Sequence, residues 1–296
     1  MNKQISIERI YNLDMNSGQT EPKQNLLTKE IFYDAQGNPT KDISYNPPGV
    51  VDQTIESKYD DQNRLIEEAC FDGEEELLEK TFFEWDAKGK KIKEEKHYLD
   101  GSVDTTIFNY DSDGHLIEKL CKNDDDEIEY KEAFKFEGNQ LVEYSKYNED
   151  EEIAEKKSFT MNDGKLESEV HWTAEEGNET TKKYRYDEEG NVEKELYYNA
   201  KKQLVKKVEY QKYRGRFIEE FIEEDPYQLN TTKLEYDEKN NIILQEQFNQ
   251  NGEINHRVER TFDQNQRLIE TMTYVNAKGQ GMNLHFKEVH LYEYYD

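Results

Sequence analysis

The residues best suited to chemistry in this chain are one run of acids and six scattered histidines. The run Asn123-Asp124-Asp125-Asp126-Glu127 offers the carboxylate oxygens that Ca²⁺ prefers. It lacks glycine and the ligand spacing of a helix–loop–helix calcium site, so a solvated turn without metal is the expectation. The histidines form no HExxH motif and no paired-cysteine zinc motif. They are His97, His115, His171, His256, His285 and His290.

Motifs for covalent or cofactor chemistry are also absent. The sequence contains no GxSxG nucleophile turn, no GxxxxGK[ST] phosphate loop and no GxGxxG dinucleotide loop. The Asp that recurs after each aromatic anchor is typical of a turn, where its side chain accepts backbone N–H groups. We therefore predict no catalytic residue, no metal, no cofactor and no enzymatic activity.

Charge sets the first limits on partners. The chain has 67 Asp and Glu against 39 Lys and Arg, which gives a formal net charge of −28. Such a polyanion repels nucleic acid and the anionic surface of a membrane, so neither is an expected partner. The charge either keeps a repeat protein soluble or forms a face that binds a basic protein, and both interpretations stay open.

Targeting signals and cysteine usage indicate the compartment. Residues 1–25 lack the apolar stretch of a secretory signal, and no run approaches the roughly 18 apolar residues of a membrane span. Two cysteines, Cys70 and Cys121, are too few for a disulfide framework. We expect a cytoplasmic protein with two thiols.

The strongest signal is a tandem repeat. An aromatic residue followed by Asp or Glu recurs every 25 or 26 residues along most of the chain, and a fixed period is the signature of a repeat architecture. Met161-Asn162 fills one position of the series, and the copy near Tyr210 or Tyr213 is irregular. The clear copies are Tyr33-Asp34, Tyr59-Asp60, Trp85-Asp86, Tyr110-Asp111, Phe136-Glu137, Tyr186-Asp187, Tyr236-Asp237 and Phe262-Asp263.

Each unit has the pattern of two strands and two turns. A Gly or Asn follows the anchor, then an aliphatic residue such as Leu65, then an aromatic such as Phe71 six residues later. Because strand side chains alternate, this even spacing places both residues on one face. The pattern predicts an all-β tandem-repeat antiparallel meander of about twenty strands, forming a long curved or superhelical sheet. Residues 1–28 would be an N-terminal cap strand, 29–280 about ten repeats, and 281–296 a C-terminal capping strand.

The turns carry a family resemblance. Tyr33-Asp34-Ala35-Gln36-Gly37-Asn38, Tyr110-Asp111-Ser112-Asp113-Gly114-His115-Leu116 and Tyr186-Asp187-Glu188-Glu189-Gly190-Asn191-Val192 resemble the YD repeat of Rhs-type and teneurin proteins. The unit is also similar to MORN-like hairpin repeats of some bacterial antitoxin components. In the YD-repeat family the repeats form β-strand spirals that can enclose a toxin domain. This chain is shorter and more acidic than those shells, which implies a partner or immunity component at least as much as a toxin carrier.

One segment breaks the repeat and is the predicted partner-binding patch. Residues 210–230 change the anchor spacing and place basic residues in an acidic chain. The alternative is a repeat that has drifted and ends in a tight hairpin. If the segment binds a partner, the contact residues would be Tyr213, Arg214, Arg216 and Tyr227.

These observations favour a non-catalytic scaffold that binds another protein. The narrower hypothesis is a cytoplasmic immunity or antitoxin-type protein that neutralises a basic toxin. The alternative is a glycan-binding or cell-surface repeat protein, because regular tyrosine rows could stack on sugars. Partner identity, binding face and oligomeric state stay open at this point.

Overall fold

The structure is a computed structural model that describes residues 4–15, 18, 21–276 and 281–296. Within these residues the fold is all-β, and a 3-10 turn at Gln24–Leu26 precedes the second strand. None of the described helices is long or apolar enough to cross a bilayer. The end of the predicted repeat region, residues 277–280, lies outside the described residues.

The described residues form 22 strands. They are β1 Ile5–Asp14, β2 Leu27–Tyr33, β3 Pro39–Tyr45, β4 Val51–Tyr59, β5 Leu65–Asp72, β6 Leu77–Trp85, β7 Lys91–Tyr98, β8 Val103–Tyr110, β9 Leu116–Lys122, β10 Ile128–Glu137, β11 Gln140–Tyr147, β12 Ile153–Asn162, β13 Lys165–Thr173, β14 Asn178–Tyr186, β15 Val192–Tyr198, β16 Leu204–Arg214, β17 Phe217–Glu224, β18 Leu229–Tyr236, β19 Ile242–Phe248, β20 Ile254–Phe262, β21 Leu268–Val275 and β22 Asn283–Tyr294.

The predicted open sheet, curved or superhelical, is wrong. All 22 strands belong to one antiparallel sheet, and β1 pairs with both β2 and β22. The first and last strands therefore meet, and the sheet closes as a 22-stranded antiparallel barrel. Two separate caps, as residues 1–28 and 281–296 suggest, would each leave a row of backbone donors and acceptors unpaired. Pairing the two terminal strands removes both edges.

The strands group into two compact units. One contains Met1–Lys80 with Asn230–Asp296, and the other contains Thr81–Leu229. In the first unit, Tyr11, Leu13, Leu26 and Leu27 form a buried cluster, and Leu13 and Leu27 are fully buried. In the second unit, the buried side chains include Phe108, Cys121, Leu196 and Val208, which lie on four different strands.

The Asp after each anchor holds its turn, as the sequence predicts. The Asp34 carboxylate accepts the backbone N–H groups of Gln36 and Asn38, both at 2.9 Å, and also the Asn38 side-chain amide. Acceptance of the backbone N–H four residues on recurs at Asp60, Asp86, Asp111, Asp187, Asp237 and Asp263. We call these the Asp turns.

Three tyrosine anchors are tied to the beginning of the strand that precedes their own. Tyr59, Tyr110 and Tyr186 each donate their hydroxyl to a backbone carbonyl 19 or 20 residues earlier, at 2.8–2.9 Å. Each of these anchors also sits at an irregularity in strand register. A bulge increases the local twist of a strand. The tyrosine anchor therefore marks both the hydrogen bond to the preceding strand and the site of increased twist.

Both cysteines are buried, and neither is in a disulfide. The Cys70 sulfur accepts a hydrogen bond from the Gln53 amide at 3.0 Å. Burial raises the pKa of the Cys121 thiol above its ordinary value. Both side chains therefore behave as small core residues.

Candidate functional site

The structure brings together three of the four predicted patch residues. Tyr213 and Arg214 end β16, and Arg216 lies in the two-residue turn that leads into β17. Tyr227 lies in the turn after β17, at the opposite end of that strand. Eight strand residues separate the two turns, which corresponds to roughly 27 Å. The four residues therefore do not form one surface.

Two basic residues near the end of β16, Lys212 and Arg214, are paired with an acid on β17. Glu219 on β17 accepts Lys212 Nζ at 2.7 Å and lies 3.8 Å from Arg214 Nε. The hydrogen bond to Glu219 raises the pKa of Lys212 above its ordinary value. The Tyr213 hydroxyl donates to the Val192 carbonyl, which is the structural link made by other anchors. Local contacts thus account for Tyr213 and Arg214.

A second set of turns in the Thr81–Leu229 unit is strongly acidic. β9 to β16 pair in sequence, so the turns β9–β10, β11–β12 and β13–β14 lie at one end of neighbouring hairpins. The segments 123–127, 148–152 and 173–179 contain no Lys or Arg and contribute four, four and three exposed carboxylates. We call them the acidic rim. Its carboxylates are Asp124, Asp125, Asp126, Glu127, Glu149, Asp150, Glu151, Glu152, Glu175, Glu176 and Glu179.

The rim carboxylates take little part in holding their own turns. The Asn123 side-chain oxygen accepts the backbone N–H groups of Asp125 and Glu127 at 3.1 and 2.9 Å. Asn148 plays the same part in the next turn and accepts the Glu152 backbone N–H at 2.8 Å. The ion pairs of the rim within the described residues are Lys122–Asp126 at 2.7 Å and Lys131–Glu151 at 4.0 Å. Asparagine therefore shapes the two turns, and most of the carboxylates face solvent without a cation.

The structure contains a group of possible metal ligands outside the 123–127 turn. Asp111, Asp113 and His115 each place one possible ligand atom within 4.8 Å of the others. These atoms already have partners, because Asp111 Oδ2 lies 2.9 Å from His115 Nδ1 and Asp111 Oδ1 accepts two backbone N–H groups. The hydrogen bond to Asp111 raises the pKa of His115. The group is an Asp turn in which the residue four positions after the Asp is a histidine.

An apolar surface lies near the acidic rim on the same unit. Leu204 and Val205 at the start of β16 are 49% and 38% exposed, and Tyr227 is 95% exposed. An open depression of about 210 Å³ is lined by Leu204, Val205 and Pro226 together with the charged residues Lys206, Lys207, Glu224 and Asp225. A second depression of about 320 Å³ includes Val205 together with Tyr197 and Tyr198. Both depressions meet at Val205. We call Leu204, Val205, Pro226 and Tyr227 the Val205 surface.

The aromatic rows are covered by lysine. An ammonium group lies 4.5 Å from the ring centre of Tyr147, 4.6 Å from Tyr184 and 4.9 Å from Tyr186. Burial opposes but does not prevent a raised pKa at Lys182, because the ammonium also bonds Tyr184 and Glu195. These ring faces are occupied within the sheet.

Signals for both surfaces were present in the sequence. The segments 123–127 and 148–152 each contain four consecutive acids, and Leu204-Val205 places two aliphatics side by side, as Leu77-Leu78 also does. Their proximity depends on strand pairing, which the sequence pattern does not specify.

Comparisons with known proteins find no family, and the structural likenesses have low TM-scores and low sequence identity. No protein family matches the chain, and no curated protein matches it. The TcdB2–TccC3–Cdc42 crystal structure is similar with a TM-score of 0.33 and 11% identity, over 98% of this chain and 18% of that chain. A porin-like protein from Bacteroides uniformis is similar with a TM-score of 0.34 and 9% identity, over 99% of both chains.

The Photorhabdus luminescens Tc holotoxin pore is similar with a TM-score of 0.26 and 10% identity, over 91% of this chain and 20% of that chain. This chain thus spans about a fifth of the Tc proteins that it resembles. No comparison supports the immunity or antitoxin component.

Proposed function

We propose that the protein is a non-catalytic scaffold that binds a basic protein through the acidic rim. The observation that carries the proposal is the concentration of eleven exposed carboxylates, without Lys or Arg, in three adjacent segments. Solubility alone requires charge spread over a surface, and it does not require one sign concentrated at one end of neighbouring hairpins.

The spacing of the rim makes its charges act together. Successive hairpins are two strands apart, which is about 10 Å, and the Debye length at 0.1 M salt is also about 10 Å. The potentials of the three segments therefore overlap. A field of one sign speeds the approach of an oppositely charged partner and repels proteins of like charge.

The narrower proposal is a cytoplasmic immunity or antitoxin-type protein that occupies the basic surface of a toxin. It is supported by the YD-like and MORN-like character of the repeats and by the charge. The charge also disfavours nucleic acid and anionic membranes as partners.

The glycan-binding alternative is less well supported. Sugar stacking needs accessible aromatic faces, and lysine ammonium groups lie over the rings of Tyr147, Tyr184 and Tyr186. The basic-partner proposal uses groups that are exposed.

Calorimetric titration with octalysine tests the rim. A rim variant that removes four charges should bind about tenfold more weakly than wild type, since each exposed pair contributes roughly 0.2–1 kcal/mol. High salt should abolish the difference. The rim variant carries Asp124→Asn, Asp125→Asn, Glu149→Gln and Asp150→Asn.

A matched variant separates the rim from net charge. It removes four exposed carboxylates at the opposite end of the same strands and should bind octalysine nearly as wild type does. Equal weakening by both variants would contradict a specific rim. The matched variant carries Glu167→Gln, Glu188→Gln, Glu189→Gln and Glu193→Gln.

A further inference from the structure

We propose that the Val205 surface anchors an apolar side chain of the basic partner. The occupant is then a protein segment with a Lys/Arg-rich stretch opposite the acidic rim and one aromatic or large aliphatic residue beyond it. This inference rests on the proposed function and adds the chemistry of the partner.

Strand register builds the surface. Lys207 pairs with Glu224 across β16 and β17, so the start of β16 lies beside the turn that contains Pro226. Leu204, Val205 and Pro226 line one depression, and the almost fully exposed Tyr227 follows Pro226 directly. An aliphatic floor with a proline and a tyrosine at its margin suits one inserted side chain, because binding energy concentrates where such anchors bury apolar area.

The charges beside the depression are already satisfied. Lys206 bonds Glu223 at 2.7 Å, and Lys207 bonds Glu224 at 2.8 Å. The Asp225 carboxylate, which also lines the depression, accepts the backbone N–H groups of Tyr227 and Gln228 at 2.8 and 3.0 Å. An apolar group can therefore cover Leu204 and Val205 without stranding an unpaired charge, which is the usual obstacle to burial at an interface. Paired charges around an apolar centre match the arrangement of protein interfaces.

The turn between the acidic rim and the Val205 surface is basic, and this indicates the order in which a complementary partner would carry its basic and apolar residues. Residues 199–203 join β15 to β16 and carry exposed Lys201 and Lys202. The sign of the charge thus reverses about one hairpin, or roughly 10 Å, beyond the last acidic segment. A complementary partner has its basic stretch first, then a short uncharged stretch opposite these lysines, and then the apolar anchor.

Charge complementarity selects a basic protein segment as the occupant. Three acidic segments lead to an apolar depression on one unit, and a Lys/Arg stretch ending in an apolar residue matches both in order. A purely polycationic ligand would leave the Val205 surface uncovered.

The test compares peptides that differ only in the anchor. Octalysine extended by Gly-Gly-Trp, at one end or the other, is titrated against octalysine extended by Gly-Gly-Ser. One Trp peptide should bind wild type about tenfold more tightly than its Ser counterpart, as expected for partial burial of a large side chain. Equal affinity of the Trp and Ser peptides would overturn the anchor.

Two variants locate the effect, and a third controls for it. Leu204→Ser and Tyr227→Ala should each remove most of the Trp preference and leave the Ser peptide unchanged. Leu77→Ser is the matched control, because Leu77 starts β6 at the same position of its repeat and is 41% exposed. It should keep the preference.

The outcomes separate the two proposals. If neither peptide binds, or the rim variant binds both as wild type does, the proposed function fails and the anchor fails with it. If both peptides bind through the rim and the Trp preference is absent, or survives Leu204→Ser and Tyr227→Ala, only the anchor is overturned.

Discussion

Carboxylates have opposite roles at the closing seam and on the acidic rim. At the seam, where β1 pairs with β22, Glu8 and Glu288 hold the two ring nitrogens of His290 at 2.9 and 3.0 Å, and the His290 side chain is only 9% exposed. On the rim, eleven carboxylates are exposed and most have no cation. Acidic residues therefore join strands in one region and are left available in the other.

The seam carboxylates are expected to contribute to folding stability, and the rim carboxylates to binding. Paired, partly buried charges of the seam contribute to folding because removing one partner strands the other. Exposed, unpaired charges contribute little to folding and impose mutual repulsion. Substitutions at the seam should therefore change stability, and substitutions on the rim should change binding.

The largest effect is expected from the seam's apolar core. Leu13→Ala removes a fully buried side chain from the cluster with Leu27 and should cost about 2–5 kcal/mol. Urea unfolding measures the loss. Leu204→Ala is the control, and an equal loss there would contradict the assignment of Leu204 to an exposed surface.

The second effect is a pH dependence of the seam. Burial alone would lower the pKa of His290, but hydrogen bonds to Glu288 and Glu8 outweigh it and raise the pKa to about 9. An unfolded histidine titrates near 6.5, so protonated His290 stabilises the fold fully below that pH. This stabilisation, up to about 3 kcal/mol, should be lost as pH rises through about 9.

NMR titration of the His290 ring checks this directly. The Glu8→Gln, Glu288→Gln double variant should return the pKa toward its ordinary value. A wild-type pKa near 6.5 would show that the two carboxylates do not hold the ring.

A smaller effect is expected from the Asp turns. Asp34→Ala removes a carboxylate that accepts three hydrogen bonds at 2.9 Å and should cost about 1 kcal/mol. Asp61→Ala is the control in the next Asp turn, where Asp61 is exposed. Equal thermal stability of the two variants would contradict the division between structural and available carboxylates.

The smallest stability effect is expected on the rim. The rim variant removes like-charge repulsion, so its unfolding free energy should stay within about 0.5 kcal/mol of wild type or rise slightly. Urea unfolding at low salt measures it. A large loss would mean that these carboxylates hold the fold.

The repeat was predictable because its chemistry is local. An aromatic, an Asp and a Gly or Asn at fixed spacing specify one turn, and positive φ occurs at Asn63 and Gly114 as expected. In the turn after Tyr236, the positive φ falls on Asn240. Local patterns do not show which distant strands meet, so the pairing of β1 with β22 was missed.

The candidate site was predictable only in part, for the same reason. The sequence indicated an irregular segment that included Tyr227, and Tyr227 does border the Val205 surface. It also grouped Tyr227 with Arg214 and Arg216, although β17 separates them. The sequence shows which residues are neighbours along a strand. Which turns lie at the same end of the sheet depends on how the strands pair.

The measurement that tests the central claim most directly is affinity capture from a lysate of the source organism, at low and high salt. Wild type, the rim variant and its matched four-charge control serve as baits, and mass spectrometry identifies the bound proteins. Wild type and the matched control should retain a basic protein at low salt, and this protein should be lost with the rim variant or at high salt. Recovery of the same protein by all three baits, or of no basic protein by folded wild type, would contradict it.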